Sequence, residues 1–339
     1  MSRKRAFIHI GLAKTGTKSV QFALAQRRSK LERAGWVYPK QGTTTNRSGH
    51  HGFAWHLGRA THEHPGLKRF DIAAFNAAVA GAKDKNIIIS SEGLSALSSD
   101  EEGIKSLIQH FPNHEIVVIA YAREQADLIN SRYGEVLSNL TDPGPIESYA
   151  ARIQESDHFN YQRFFRHWKR IFGPALIVRP FDLSELKGRD IVEDFAQVLN
   201  IVPVLKPYPI EHKNTANNTL QTAMLVGLVR ILSERKQHWV PYSDLHRRLR
   251  RTVSRILEDQ ELQGAEPYWG LTEERTKSMR DHYRESNSAF FLDWLGKPFE
   301  FSSIHRERHC NAVAYEDLPT DLRSRSERIL LRALDATPE

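Results

Sequence analysis

Short, nearly continuous apolar runs separated by helical patterns limit most strongly how this chain can fold. Ile87, Ile88 and Ile89 are consecutive, and residues 116–120 are all apolar, so neither face of these predicted strands is suited to water. Strands of this kind are typical of parallel sheets that helices cover on both faces. The sequence therefore predicts an α/β fold, a three-layer sandwich with a mainly parallel central sheet and a helical C-terminal part.

Predicted strands and helices alternate through most of the chain. Strands are predicted at residues 6–11, 86–90, 115–122 and 175–179. Helical periodicity is predicted at residues 17–34, 125 to about 140, 161–172 and 190–199, and mostly helical sequence from residue 219 onward. We expect one domain over residues 1–300, with a long surface excursion at 41–66 that could hold an acceptor, and a polar tail over residues 301–339.

Composition narrows the class of protein. The chain has 48 Lys and Arg against 41 Asp and Glu, a net charge of +7 that favours anionic ligands such as phosphates, sulfates or acidic glycans. Its single cysteine, Cys310, excludes an internal disulfide and a Cys-rich metal site. Its apolar runs are shorter than the roughly 18 to 20 residues that cross a bilayer, so we expect a cytoplasmic protein without a membrane span. Because no basic module with interleaved aromatic residues is present, no nucleic-acid partner is expected.

The densest chemical signal is a loop rich in Gly, Thr and Lys between the first predicted strand and its helix. Gly11 and Gly16 permit a tight turn that points successive N–H groups inward, and the helix contributes the positive end of its dipole. Lys14 adds a full positive charge, and hydroxyl donors follow at Thr15, Thr17 and Ser19. The segment therefore predicts an oxyanion-binding site.

This loop is close to a Walker A loop but is one residue longer. Gly16 is followed by Thr17, Lys18 and Ser19, whereas the Walker pattern places lysine directly after the second glycine. The spacing weakens the nucleoside-triphosphate interpretation. A P-loop kinase that uses ATP and magnesium to phosphorylate a small molecule or sugar remains the alternative.

Two further strand ends carry candidate site residues. Arg123 follows the strand at 115–122, and Ser131 lies on the next predicted helix, a suitable arrangement for clamping a phosphate monoester. Glu92 follows the strand at 86–90, at the edge where α/β sheets bind ligands. A carboxylate there can accept the proton of an attacking hydroxyl.

Several other polar residues have less certain roles. His50 and His51 compete with Glu92 as the base, because histidine titrates near neutral pH. Lys213 and Asn214 either close over a nucleotide or form an ordinary polar loop before a helix. Arg179 ends a predicted strand, and the basic run at 246–251 is either a solvated helix face or an attractor for an anionic acceptor.

The first loop also carries a family resemblance. The pattern His9-x-Gly11-x-x-Lys14-Thr15-Gly16-Thr17-x-Ser19-x-Gln21 resembles the 5′-phosphosulfate-binding loop of sulfotransferases that use 3′-phosphoadenosine-5′-phosphosulfate (PAPS), particularly the bacterial ones. Lys18 stands where that family usually has Thr or Ser. Arg123 with Ser131 is similar to the family's 3′-phosphate motif, and the strand end Ser90-Ser91-Glu92 is typical of its bacterial members.

The resemblance implies a PAPS-dependent sulfotransferase that transfers a sulfuryl group to a hydroxyl or amine, with a carbohydrate or glycoconjugate as acceptor and no metal. In that reaction Lys14 stabilises developing charge, Glu92 or His51 takes the acceptor's proton, and Arg123 and Ser131 hold the 3′-phosphate. The 5′-phosphosulfate is bound by Lys14, Thr15, Gly16, Thr17, Lys18 and Ser19. A non-catalytic protein that binds PAPS or a glycan is a further alternative.

Overall fold

The computed structural model describes residues 3–43, 48–58, 70–157, 159–206, 217–235 and 243–335. In these ranges five strands form one sheet: β1 (Lys4–Ile10), β2 (Trp36–Val37), β3 (Asn86–Ser91), β4 (His114–Ala122) and β5 (Leu176–Pro180). Their order is β2-β3-β1-β4-β5, and all neighbouring strands are parallel. The predicted α/β class and parallel sheet are thus confirmed.

Helices make up most of the remaining described chain. The α-helices are α1 (Thr17–Gln26), α2 (Arg28–Arg33), α3 (His51–Leu57), α4 (Ile72–Gly81), α5 (Glu101–Gln109), α6 (Gln125–Ser138), α7 (Ile146–Glu155), α8 (Tyr161–Phe164), α9 (Arg166–Phe172), α10 (Ile191–Val198), α11 (Val202–Leu205), α12 (Thr219–Glu234), α13 (Asp244–Leu257), α14 (Glu273–Leu295) and α15 (Thr320–Asp335). Short 3₁₀ helices lie at Glu92–Ser99, Gly173–Ala175, Lys187–Arg189, Gln260–Leu262, Ser302–His305 and Tyr315–Asp317. In the described ranges, no helix is long and apolar enough to cross a membrane.

Successive side chains of the central strands enter two separate hydrophobic clusters. Ile87 and Ile89 lie in one cluster with buried residues of α3, α4, α5 and α9, whereas Ile88 lies in the other with residues of α1, α2 and α10. All three isoleucines are fully buried. Helices therefore cover both faces of the sheet, which explains the lack of polar alternation in its strands.

The chain divides into two compact units. The first comprises Met1–Glu124, Phe159–Lys213 and Tyr283–His305 and contains the whole sheet. The second comprises Gln125–His158, Asn214–His282 and Arg306–Glu339, and its described part is mainly helical. The expected extent of one domain over residues 1–300 remains a prediction.

Two predicted helices are each broken once. The helix predicted at residues 17–34 is interrupted at Arg27, where φ is −107° and ψ is 13°. The break allows Leu31 of α2 to be fully buried while Arg28 Nε donates to the carbonyl oxygen of Tyr38 at 3.1 Å. The helix predicted at 161–172 is likewise interrupted at Phe165, which is buried. In both places tertiary packing outweighs the continuous helical pattern.

The prediction of a surface excursion at residues 41–66 is wrong for its described part, residues 41–43 and 48–58. That part contains α3, whose Phe53, Ala54 and Leu57 are buried in the cluster that contains Ile87. A two-turn helix is too short to show clear periodicity among Gly, Thr and His residues. The segment predicted as a polar tail contains α15, in which Leu322 and Leu330 are buried.

Candidate functional site

The carboxyl ends of β1, β3 and β4 lie side by side in the first unit. Ile10 is in register with Ser91, and His9 lies between Ser90 and Ile119. The N–H of Gly11 donates to the carbonyl oxygen of Ser91 at 3.2 Å, which extends the contact one residue beyond β1. The loop after β1 and the residues that follow β3 and β4 therefore leave the sheet at one edge, where parallel α/β sheets bind ligands.

Glycine is required at both ends of the loop between β1 and α1. A Cβ atom on Gly11 would collide with the side chain of Thr17, which is almost fully buried. Gly16 has a left-handed φ of 75°, and a Cβ atom there would lie 2.9 Å from Cγ2 of Ile191. Lys14 is also left-handed, with φ of 62°. The sequence pattern of the loop thus reflects a tightly constrained backbone.

The threonine hydroxyls hold the loop together from inside. Thr15 is fully buried, and its Oγ1 donates to the carbonyl oxygen of Leu12 at 2.7 Å. Thr17 Oγ1 donates to the same carbonyl at 3.4 Å. Both hydroxyls therefore have an acceptor inside the loop in this structure. Their donation to a bound anion stays a prediction.

Helix α1 begins without a side-chain cap. Gly16 occupies the N-cap position and makes no side-chain cap bond, and the N–H of Ser19 donates to the carbonyl oxygen of Gly16 at 3.0 Å. Lys18 is exposed, whereas Lys14 and Ser19 are half-buried. A helix start of this kind directs N–H groups and a positive dipole toward an anion.

The structure brings Arg123 to this loop. Its Nη1 donates to the carbonyl oxygen of Lys14 at 2.9 Å, and its Cζ lies 5.7 Å from the centre of the Phe181 ring. Arg123 is half-buried at the end of β4. Ser131 lies on α6 in the second unit, and its predicted role beside Arg123 remains a prediction.

Two candidate bases lie at the end of β3. Glu92 begins the 3₁₀ helix that directly follows the strand, and it is half-buried. His51 begins α3, and its Nδ1 lies 3.0 Å from Oγ of Ser91. The His51 ring stacks on the partly exposed ring of Trp55, with their centres 6.0 Å apart. Carboxylate, imidazole and an aromatic surface are thus available at one strand end.

His50 is excluded as a base. It is fully buried, its Nδ1 accepts from the N–H of Ser90 at 3.2 Å, and its Nε2 lies 3.0 Å from the carbonyl oxygen of Pro39. Because Nδ1 must accept, Nε2 carries the proton and donates it to Pro39. Burial lowers the pKa of His50 to about 3, so the ring is neutral and joins β3 to the segment before α3.

Two polar residues of the loop motif are structural. His9 is fully buried with its Nδ1 2.9 Å from Oγ of Ser90, and burial lowers its pKa to about 3. Gln21 Nε2 donates to Oγ of the same serine at 3.3 Å. Together they connect β1, β3 and α1 beneath the loop. Nothing in the sequence identifies Ser90 as their shared partner.

The last candidates are Arg179, the pair Lys213 and Asn214, and the basic run at 246–251. Arg179 donates from Nε and Nη2 to the carboxylate of Asp194, each at 2.6 Å, and Tyr121 donates to that carboxylate at 2.8 Å. Arg179 is therefore a structural ion-pair residue. Lys213 and Asn214 lie outside the described residues. In the basic run of α13, His246 is buried while Arg251 is exposed, as in an amphipathic surface helix.

Comparisons with known proteins leave the assignment to residues and geometry. A scan against protein-family models matched none, and searches of curated proteins and of solved structures returned no match. In the part of the chain that the structure describes, no group of three or more His, Cys, Asp or Glu side chains could hold a metal ion.

Proposed function

We propose that this chain is a PAPS-dependent sulfotransferase with a three-layer fold and a P-loop-like phosphosulfate loop. The observation that carries the proposal is the 2.9 Å hydrogen bond from Arg123 Nη1 to the carbonyl oxygen of Lys14. It joins the two segments that resemble the family's phosphosulfate and 3′-phosphate motifs, although they are far apart in sequence. Cofactor recognition by a sulfotransferase requires both segments in one site.

The loop supplies electrostatic stabilisation. Main-chain N–H groups at the start of α1 and the ammonium of Lys14 bind the 5′-phosphosulfate and stabilise charge on the oxygen that bridges phosphorus and sulfur. The buried hydroxyls of Thr15 and Thr17 contact the carbonyl oxygen of Leu12 and keep the loop in shape. These hydrogen bonds set the shape of the loop before an anion binds.

Sulfuryl transfer exchanges one oxygen on sulfur for another. The acceptor's oxygen forms a bond to sulfur as the bond from sulfur to the bridging oxygen breaks, and adenosine 3′,5′-bisphosphate leaves with the bond's electron pair. Glu92 takes the proton of the acceptor hydroxyl, with His51 as the competing base. Arg123 holds the 3′-phosphate, which fixes the position of the sulfuryl donor.

A carbohydrate acceptor fits the residues around Glu92. Trp55 is partly exposed and stacks on His51, whose Nδ1 contacts Ser91 next to Glu92. The face of an aromatic ring can pack against the apolar face of a sugar, while neighbouring polar side chains bind the sugar's hydroxyls. The proposal therefore places a sugar hydroxyl within reach of Glu92.

Calorimetry with adenosine 3′,5′-bisphosphate in EDTA tests the cofactor assignment. The wild-type chain should bind the bisphosphate without metal, Lys14→Ala should lose most of that affinity, and Lys30→Ala should bind as the wild type does. Lys30 is a suitable control because it is an exposed lysine on α2. Binding of ATP with magnesium and none of the bisphosphate would contradict the proposal and favour the kinase alternative.

A further inference from the structure

Tyr161 is a fully buried tyrosine whose hydroxyl contacts a strand end. It begins α8 and packs against Phe290, with ring centres 5.8 Å apart. Its hydroxyl accepts from the N–H of Arg123 at 3.0 Å and donates back to the carbonyl oxygen of Arg123. Burial raises the pKa of Tyr161 above its usual value, so the hydroxyl keeps the proton that it donates.

These two hydrogen bonds lie just past the end of β4, where its pairing with β5 stops. The pairing of β4 with β5 ends at Ala122, whose carbonyl oxygen accepts from the N–H of Phe181 at 2.6 Å. Arg123 is the next residue, and Tyr161 supplies partners for both of its main-chain polar groups. The main chain of Arg123 is thus fixed by a side chain instead of by a neighbouring strand.

A fixed main chain determines where the guanidinium can reach. Arg123 extends along the ring of Phe181 to the carbonyl oxygen of Lys14. An arginine binds a phosphate through two parallel N–H groups only when its planar fork approaches from one direction. A change at the main chain of Arg123 is magnified at the end of its long side chain.

We infer that Tyr161 is a positioning residue that gives the nucleotide site its selectivity for a 3′-phosphate. The inference rests on the proposed function, in which Arg123 binds that phosphate. The phosphosulfate loop has bonds of its own, from Thr15 to Leu12 and from Gly11 to Ser91, that do not involve Tyr161. Loss of the hydroxyl should therefore weaken recognition of the 3′-phosphate more than recognition of the 5′-phosphate.

The test compares adenosine 3′,5′-bisphosphate with adenosine 5′-monophosphate by calorimetry in EDTA. In Tyr161→Phe the affinity for the bisphosphate should fall about tenfold, the equivalent of one or two hydrogen bonds, while the affinity for the monophosphate stays within about twofold. Tyr121→Phe is the matched control, because it removes a buried hydroxyl that donates to Asp194 at 2.8 Å. That control should keep the wild-type ratio of the two affinities.

A double-mutant cycle separates positioning from general destabilisation. In an Arg123→Ala background, Tyr161→Phe should cause no further loss of bisphosphate affinity. A Tyr161→Phe chain that keeps the wild-type ratio would overturn the inference alone. An Arg123→Ala chain that keeps it would overturn the inference even if Tyr161→Phe fails to fold, and would also contradict the assignment of the 3′-phosphate to Arg123 in the proposed function. A wild-type chain that binds neither nucleotide would overturn the proposed function, and the inference with it.

Discussion

The cost of Gly16→Ala in unfolding free energy follows from the geometry of the loop before α1. An L-residue in the left-handed region costs about 1–2 kcal/mol, and Gly16 has φ of 75°. The new Cβ would also lie 2.9 Å from Cγ2 of Ile191, a buried residue, and such overpacking adds about 1–3 kcal/mol. Gly35 has φ of 80° with nothing within 4 Å of an added Cβ, so Gly35→Ala shows the backbone cost alone.

Urea unfolding of the two variants measures this difference. Gly35→Ala should lose about 1–2 kcal/mol of unfolding free energy and Gly16→Ala about 2–5 kcal/mol. Only Gly16→Ala should also weaken binding of adenosine 3′,5′-bisphosphate, by at least about tenfold, because it displaces the N–H groups at the start of α1. Equal stability of the two variants, or unchanged binding by Gly16→Ala, would refute the reasoning.

Three further predictions concern the groups around the site. Burial lowers the pKa of His9 and His50 to about 3, so below the unfolded value near 6.5 only the unfolded chain gains these protons. As the pH is lowered from about 6 to about 4, the free energy of unfolding should therefore fall by about 1.4 kcal/mol per pH unit for each histidine. A urea midpoint that does not change between pH 6 and pH 5 would contradict this. Glu92→Gln should lower kcat about 10²- to 10⁴-fold with bisphosphate affinity unchanged; full activity would remove Glu92 as the base and favour His51. Arg179→Met should cost about 3–5 kcal/mol in urea unfolding because it leaves the buried carboxylate of Asp194 without its ion pair, and a loss below about 1 kcal/mol would exclude that role.

The sheet and the edge that carries the candidate site could be predicted because their signals are local. Three consecutive isoleucines, Ile87 to Ile89, are typical of a strand buried on both faces, and the structure buries all three. Gly11 and Gly16 mark a backbone that no larger residue can adopt without strain or collision. Patterns of this kind depend on few neighbours, so the residues alone indicate them.

The roles of individual polar residues could not be predicted, because they depend on distant partners. His50 and His51 are adjacent and of the same type, yet one is buried between main-chain groups and the other lies beside Ser91. The ion pair of Arg179 with Asp194 likewise forms only when β5 and α10 pack together. Residue type and spacing indicate which chemistry is possible, whereas burial determines which side chain is available for it.

Transfer of ³⁵S from labelled PAPS to a panel of carbohydrate acceptors, in EDTA, tests the central proposal most directly. The wild-type chain should label at least one acceptor and release adenosine 3′,5′-bisphosphate in equal amount, and Lys14→Ala should abolish both. Binding of PAPS without transfer to any acceptor would contradict an enzymatic role and favour the non-catalytic alternative. Transfer of ³²P from ATP with magnesium, and none of ³⁵S, would show that the loop serves a kinase.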